Sequence, residues 1–235
     1  MNYSLCRTSR ARSYYYMPRT IKHRAGPRWP ATLALLAVGG LHYALPSPLT
    51  VGPDWLLFVL VVVLSIPTIV AHRRGMRDLN DVFGFILLGV VTVEVIISLS
   101  LLISRLPAHK DSPKELLIAA TGLWVSNLLL FASWYWRLDA GGPNEREVRG
   151  THTGGAFLFP QMMLDPDLKE KMGDAHWSPG FVDYLFLAFN TSTAFSPTDV
   201  PVLTRWAKLL MMVQSLISLS TVALLAARAV NILSE

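Results

Sequence analysis

Five long runs of apolar residues constrain this chain more than any other feature. They occupy residues 29–45, 55–71, 82–104, 116–136 and 206–233 of the 235-residue sequence. A helix of about 20 apolar residues crosses the roughly 30 Å hydrocarbon core of a bilayer. Only 16% of the residues are charged, whereas a soluble domain carries roughly 25%. We therefore predict an all-α integral membrane protein with five long transmembrane helices.

The basic residues predict how the chain is oriented. The formal net charge is +5, and seven Lys and Arg residues precede the first apolar run: Arg7, Arg10, Arg12, Arg19, Lys22, Arg24 and Arg28. Basic segments beside transmembrane helices favour the cytoplasmic side and anionic lipids. We predict a multi-pass protein of the plasma membrane, with a cytoplasmic N-terminus, membrane lipids as partners and no nucleic-acid partner. The same leader also fits a cleaved signal peptide, and Met17 is an alternative start.

The distribution of apolar and polar residues divides the chain into four regions. Residues 1–28 form the basic segment, 29–136 hold four predicted helices, 137–179 form a polar loop, and 180–235 hold a short apolar stretch and the last long run. The stretch 181–195 is about 22 Å long as a helix, which is short for a crossing. A short helix, a compact turn and a long helix is the layout of a pore loop. We predict one short or re-entrant helix here.

The residues of this last region carry a resemblance. Six of them share their order, and nearly their spacing, with the pattern F-x-T-x-T-T-V-G-Y-G-D-I-x-P: Phe189, Thr191, Thr193, Asp199, Val200 and Pro201. Residues 181–233 thus distantly resemble the pore domain of simple potassium channels. Ser196, Pro197 and Thr198 stand where that pattern has Gly-Tyr-Gly. Proline fixes φ, and Ser or Thr disfavours the backbone that glycine allows, so we expect a degenerate pore loop without the usual carbonyl cage.

A second resemblance covers about half of the chain. It rests on Gly-Gly-Pro at 141–143, Phe-Leu-Phe-Pro at 157–160, Asp-Tyr-Leu-Phe at 183–186 and Ser-Pro-Thr-Asp-Val at 196–200. The layout is similar to a family of uncharacterised bacterial multi-span membrane proteins. This resemblance implies membership and no particular activity.

Two topologies fit the stretch 181–195. A potassium-channel pore loop enters from the extracellular side, after a helix that runs outward. Charge counting here makes 116–136 end on the cytoplasmic side, because that run is followed by Arg137. We therefore favour a short sixth crossing over a re-entrant loop. That version places both termini in the cytoplasm and Arg228 at the inner end of the last helix.

Two polar residues lie in the middle of predicted helices. Glu94 is central in 82–104 and Asn127 is central in 116–136. A carboxylate at this depth is costly unless it is protonated or paired, so it indicates a functional site by default. Two interpretations stay open, a protonatable or cation-attracting site and a neutral Glu94 that hydrogen-bonds Asn127 between helices, and the second is favoured.

The last long run contains a polar stripe. Gln214, Ser218, Thr221 and Arg228 fall on one face of a helix. If the protein is a channel, these residues line a polar path. The favoured alternative is that they serve ordinary helix packing. The candidates in the pore-loop-like turn are Thr191, Thr193, Ser196, Thr198 and Asp199. Asp199 fits either a cation site or a local turn hydrogen bond.

The leading hypothesis is a channel- or transporter-like membrane protein for small cations or protons, with a homo-oligomer as one expected state. The rival is a membrane scaffold or sensor that transports nothing. Six scattered histidines, with no metal-ligand spacing and no phosphate loop, give no support for an enzyme, a metal site or a cofactor.

Overall fold

The chain folds into a helical bundle in the computed structural model, which describes residues 27–45, 49–50, 52–105, 113–173, 177–194 and 199–233. The helices in these ranges are α1 (Trp29–Tyr43), α2 (Leu56–Arg73), α3 (Arg77–Arg105), α4 (Pro113–Leu138), α5 (Gly142–Arg149), α6 (Pro160–Met163), α7 (Pro166–Lys171), α8 (Phe181–Thr193) and α9 (Arg205–Leu233). One 3₁₀ turn, Asp139–Gly141, joins α4 to α5. Within these ranges no strand forms, and Phe157 makes one isolated antiparallel bridge with Val202. The predicted polar loop 137–179 therefore contains three short helices.

Proline and glycine mark the ends of several helices. Pro30 lies in the first turn of α1, where its missing N–H removes no helical hydrogen bond. Gly75 has a φ of +70° in the tight turn from α2 to α3. At the end of α4, Ala140 has a φ of 50°, and Gly141 and Gly142 also have positive φ. Three consecutive residues in this rarely occupied region turn the chain sharply away from the axis of α4.

Four stretches of the described chain are long and apolar enough to cross a membrane. They are α2, Arg77–Ser104 of α3, the stretch Lys114–Arg149 that contains α4 and α5, and Arg205–Ala227 of α9. Five long helices were predicted, and the fifth is not confirmed. The run 29–45 yields α1, which has 15 residues and a length of about 22 Å.

Helix α4 lies at the centre of the bundle, in contact with α1, α3, α8 and α9. Ala119, Ala120 and Ala132 are buried on α4 and allow neighbouring helices to approach closely, as small residues do in membrane bundles. Larger buried side chains, Phe131 and Tyr135, fill the space toward the later helices. Helices α1, α3, α8 and α9 thus pack around α4, and α2 packs on α1 and α3.

The two ends of the bundle differ in charge. We call one end the basic end because the starts of α1 and α3 and the ends of α2 and α4 bring together Arg28, Arg73, Arg74, Arg77 and Arg137. Asn80 of α3 links neighbours there: its Nδ2 donates to Thr68 O at 2.7 Å, and its carbonyl accepts from Arg137 Nη2 at 2.5 Å. At the opposite, far end, Leu45, Leu102 and Leu116 form an apolar cluster. The first four helices therefore alternate in direction.

Helices α8 and α9 both start at the basic end. Tyr184 near the start of α8 and Trp206 at the start of α9 contact the same ring, Phe157, with centroid distances of 6.3 Å and 6.2 Å. Tyr184 also donates a hydrogen bond to Asp139, directly after the end of α4. Both helices consequently run antiparallel to α4.

Helices α8 and α9 keep the same register along their contact, starting from the basic end. Gln214 Nε2 donates to Ala188 O, and four residues further along each helix Ser218 Oγ donates to Ser192 O. Because the partners advance together, α8 and α9 are parallel. The chain must therefore return to the basic end between them.

The return segment is visible before α9. Leu158 N donates to Pro201 O at 3.0 Å, and Leu203 N donates to Ala156 O at 2.8 Å, which fixes residues 201–203 beside the loop at the basic end. Helix α8 ends beside Trp124, midway along α4. The favoured short sixth crossing is not confirmed, because a crossing at 181–195 would make α9 run opposite to α8. The two helices are instead parallel, and residues 201–203 lie at the end of the bundle where α8 begins.

Candidate functional site

Gln214 joins α4, α8 and α9 through its side chain. Its Nε2 donates to Ala188 O and to Ser192 Oγ, each at 2.8 Å, and its Oε1 accepts from the Tyr135 hydroxyl. Gln214 has no exposed surface. Its amide is thus paired inside one chain, as expected for interhelical packing in a membrane.

Ser218 and Thr221 continue the same buried stripe. Ser218 Oγ accepts from Trp124 Nε1 at 3.0 Å and donates to Ser192 O at 2.7 Å. The Thr221 hydroxyl donates to carbonyls of its own helix, with Ser218 O at 2.8 Å. Gln214, Ser218 and Thr221 of the predicted stripe share one buried face, at the contact of α9 with α8 and α4. The side chain of Arg228 lies outside the described residues.

Glu94 and Asn127 have different partners in the structure. Asn127 Nδ2 donates to Gln214 O at 3.4 Å, and among the described residues its Oδ1 has no hydrogen-bond partner. Glu94 Oε1 lies 3.4 Å from His42 Nε2 and accepts from Ser98 Oγ at 3.3 Å. The favoured hydrogen bond from Glu94 to Asn127 is therefore not formed.

His42 and Glu94 form a titratable pair between α1 and α3. Their side chains are 7% and 15% exposed, so both ionisable groups are largely removed from the surface. Proton exchange between an imidazole and a carboxylate is chemistry that this pair can perform at an apolar site. Sequence reasoning missed His42 because it lies near the end of another helix, far from Glu94 along the chain.

The pore-loop-like turn is described at its two ends. Thr191 is buried and its hydroxyl donates to Leu187 O at 2.8 Å, whereas Thr193 is exposed and donates to Phe189 O at 2.9 Å. Asp199 is exposed on the return segment. The candidates Ser196 and Thr198 lie outside the described residues.

A second polar cluster surrounds Asp139 at the sharp turn after α4. Its Oδ2 accepts from the Tyr184 hydroxyl at 2.7 Å and lies 2.9 Å from His152 Nε2, while its Oδ1 accepts from Ala156 N at 2.5 Å. Asp139 is fully buried. A Cβ at Gly155 would lie 2.7 Å from His152 Nε2, so glycine makes room for the imidazole. This cluster joins α4, the loop and α8.

The side chain of Arg146 caps the C-terminal end of α4 beside this cluster. Its guanidinium donates to Asp139 O at 2.6 Å and to Trp136 O at 2.9 Å, carbonyls that the helix end leaves without a helical partner. It also lies 5.7 Å from the centroid of the Tyr184 ring. Asp139 was not among the predicted site residues, although an acidic residue directly after an apolar run and before Gly-Gly is a usable signal.

Arg137 is buried where α4 crosses α3. Its side chain is 8% exposed, and its guanidinium lies over the Phe85 ring at 5.3 Å. A Cβ at Gly84 would lie 1.7 Å from Arg137 Nη2, so only glycine leaves space for the arginine. Among the described residues, Arg137 Nε has no hydrogen-bond partner. Sequence analysis treated Arg137 as an orientation signal at the helix end and missed its burial.

No group of three or more His, Cys, Asp or Glu side chains comes close enough to hold a metal ion within the described ranges. The arrangement instead offers three kinds of polar chemistry. These are the buried hydrogen-bond network around Gln214, the ionisable pair His42 and Glu94, and Arg137 between α3 and α4.

Compared with protein-family models, curated proteins and solved structures, the chain shows no match. The two resemblances stated from the sequence therefore stay predictions, and the function is argued from the geometry.

Proposed function

We propose that this chain is a subunit of a channel-like membrane protein for protons or small cations, in which α8 and the turn after it form a degenerate pore loop. The observation that carries the proposal is the re-entrant path: α8 enters from the basic end and stops midway along α4, and residues 199–204 return to the same end. Re-entrant segments are typical of selectivity elements in channels.

The end of α8 supports a site shared between copies of the chain. Thr193 and Ala194, the last described residues before the turn, are exposed on the single chain at a depth midway along α4. Non-helical backbone at membrane depth is tolerated only where protein buries it or where it lines a water-filled cavity. In the proposed arrangement a second copy or a water-filled path therefore covers the exposed end of α8.

The outer face of α9 supports the same arrangement. Its exposed side chains are large and apolar: Leu209, Met212, Val213, Leu216 and Leu219. Such a face contacts either lipid or a neighbouring subunit. Homo-oligomerisation around the end of α8 places the turn at a common axis.

His42 and Glu94 provide the second element of the proposal. A titratable pair inside the bundle takes up and releases protons, or attracts a small cation, as intramembrane carboxylates commonly do. With the basic end in the cytoplasm of a plasma-membrane protein, the positive-inside rule places the pore loop on the cytoplasmic side.

Ion flux into liposomes is the test of transport. Purified full-length chain is expected to raise proton or K⁺ flux above that of empty liposomes, and Asp199→Asn and Glu94→Gln are expected to lower it severalfold. Glu170→Gln is the matched control, because it removes an exposed carboxylate on α7, away from the turn. Absence of flux from folded protein, or equal flux from all three variants, would refute the proposal.

Disulfide cross-linking tests the shared turn. In a background with Cys6→Ser, Thr193→Cys is expected to form covalent dimers in membranes, since the proposal brings copies together at the end of α8. Glu170→Cys, at an equally exposed position outside the bundle, is expected to stay monomeric. Monomers from both variants would exclude a common axis at this turn.

Labelling with a membrane-impermeant thiol reagent tests the path of the chain. Thr151→Cys and Leu203→Cys are expected to react from the same side of the membrane, and Lys114→Cys from the other side, in the same Cys6→Ser background. Reaction of Thr151→Cys and Leu203→Cys from opposite sides would contradict the re-entrant path.

A membrane scaffold or sensor is the second candidate, favoured by one observation. Gln214, Ser218 and Thr221 are fully buried and hydrogen-bonded within one chain. They serve the contact of α9 with α8 and α4 in either case. Flux decides between the two candidates, because a scaffold transports nothing.

A further inference from the structure

A cavity of about 620 Å³ lies at the basic end, bordered by α1, α2, α3 and α4. This volume falls within the range of pockets that hold small molecules. Small residues on two of the helices leave the space open, including Ala31 on α1 and Ser65 on α2. Nearer the far end, α1 and α2 approach each other closely, because a Cβ at Gly39 would lie 3.3 Å from Phe58 Cα.

Positive charge lines the mouth of the cavity. Arg28, Arg73 and Arg137 border it, against one acidic residue, Glu147. Glu147 is already paired with Arg28, at 2.5 Å. Burial lowers the pKa of Arg28, whereas the Glu147 carboxylate opposes that shift, and the guanidinium stays charged. The structure gives no partner, within its described ranges, for the side chain of Arg73.

Arg137 adds an unsatisfied group. Its side chain is more than nine-tenths buried at the cavity wall, its Nε has no hydrogen-bond partner among the described residues, and its nearest carboxylate, Asp81, is 3.8 Å away. A buried guanidinium with an open donor is a strong anion-binding group, because an arginine binds phosphate through charge-assisted hydrogen bonds.

The outer edge of the cavity is apolar. Trp29, Leu33 and Ile69 border it and are 62%, 53% and 39% exposed. In a membrane this edge contacts acyl chains, and an exposed Trp is typical of the headgroup level. The cavity thus joins a cationic mouth to a lipid-facing apolar wall.

We propose that this cavity binds one acidic phospholipid of the cytoplasmic leaflet, with its phosphate at Arg137 and Arg73 and an acyl chain along α1 and α2. The charge pattern selects an anionic headgroup, and the apolar edge selects a lipid over free phosphate. Residues 1–26 of the chain itself are a poor occupant, since they carry six Lys or Arg and no acidic residue and are repelled by the arginines.

Native mass spectrometry of the full-length chain in detergent is the test. We expect bound phosphatidylglycerol to exceed bound phosphatidylcholine by about 25-fold at equal concentration, since Arg73 and Arg137 each contribute roughly a factor of five for an anionic headgroup. Phosphatidylglycerol is also expected to raise the thermal unfolding midpoint, and inorganic phosphate at the same concentration is not. Equal binding of the two lipids, or equal stabilisation by inorganic phosphate, would overturn the proposal.

Variants at the cavity give the matched comparison. Arg73→Gln is expected to weaken phosphatidylglycerol binding about fivefold. Arg74→Gln removes the same charge from the neighbouring exposed position, which does not border the cavity, and is expected to leave the preference unchanged. Ser65→Leu fills the cavity without changing any charge and is expected to remove the tightly bound lipid. If Arg73→Gln and Arg74→Gln weaken binding equally, the lipid is held by general surface charge and the site does not exist.

Discussion

Buried polar side chains are hydrogen-bonded differently on the two sides of the bundle. On the side of α8 and α9, Gln214, Ser218 and Asp139 are fully buried and have several short hydrogen bonds. On the side of α1 to α3, Glu94 has only contacts of 3.3 Å and 3.4 Å. Arg137 donates one short hydrogen bond, to Asn80 O, but its Nε is without a partner among the described residues.

The difference separates packing from chemistry. A polar group with all of its partners inside the protein stabilises one arrangement of helices, because opening it leaves unpaired groups in an apolar medium. An ionisable group with long or missing hydrogen bonds remains able to take another partner, such as a proton or an anion. Substitutions on the two sides should therefore affect different properties.

Asp139→Ala should produce the largest loss of stability. The variant leaves His152 and the Tyr184 hydroxyl without their buried partner and frees Ala156 N. Leaving several buried polar groups without partners typically destabilises a protein by about 3 kcal/mol. Unfolding of the purified protein in mixed micelles measures this effect. A variant as stable as the natural chain would show that the cluster does not hold α8 in place.

Gln214→Leu should have the next largest effect, about 2 kcal/mol, since it leaves the buried Tyr135 hydroxyl without its acceptor. The same unfolding measurement applies. Ser220→Ala is the control, because within the described residues the Ser220 hydroxyl donates to Leu216 O of its own helix and to no other helix. Equal stability of both variants would contradict the role of Gln214 as the link between three helices.

Glu94→Gln should change stability least, within about 1 kcal/mol, because its two contacts are long and loss of a carboxylate from an apolar site offsets the loss of His42. Its expected effect is on flux. A strongly destabilised Glu94→Gln protein would place Glu94 with the packing residues and remove the contrast between the two sides.

The helices could be predicted from the sequence to the extent that local patterns determine them. Long apolar runs predicted α2, α3, α4 and α9. Gly75, Gly141 and Gly142 lie in the turns at the ends of α2 and α4. The direction of α8 could not be predicted, since charge counting says nothing about a stretch without Lys or Arg. That direction depends on Tyr184 and Trp206 meeting at Phe157, a contact between distant parts of the chain.

The candidate site was predictable only in part. Helical periodicity placed Gln214, Ser218 and Thr221 on one face, because that property is local to one helix. Their partners Tyr135, Trp124 and Ser192 come from two other helices and depend on how these pack. His42 beside Glu94 and Gly84 beneath Arg137 are likewise products of helix packing, which no local pattern in one sequence reveals.

The contacts between α8 and α9 can form only after α9 has been synthesised, because α9 follows α8 in the chain. Ala188 and Ser192 find their side-chain partners only on α9, which leaves the ribosome after them. Until α9 has been made, α8 is held by its packing on α4 and by the hydrogen bond from Tyr184 to Asp139, and the Ser192 side chain lacks its partner Gln214. A chain interrupted before α9 should thus keep the start of α8 on α4 and leave its end, near Ser192, without its buried polar contacts.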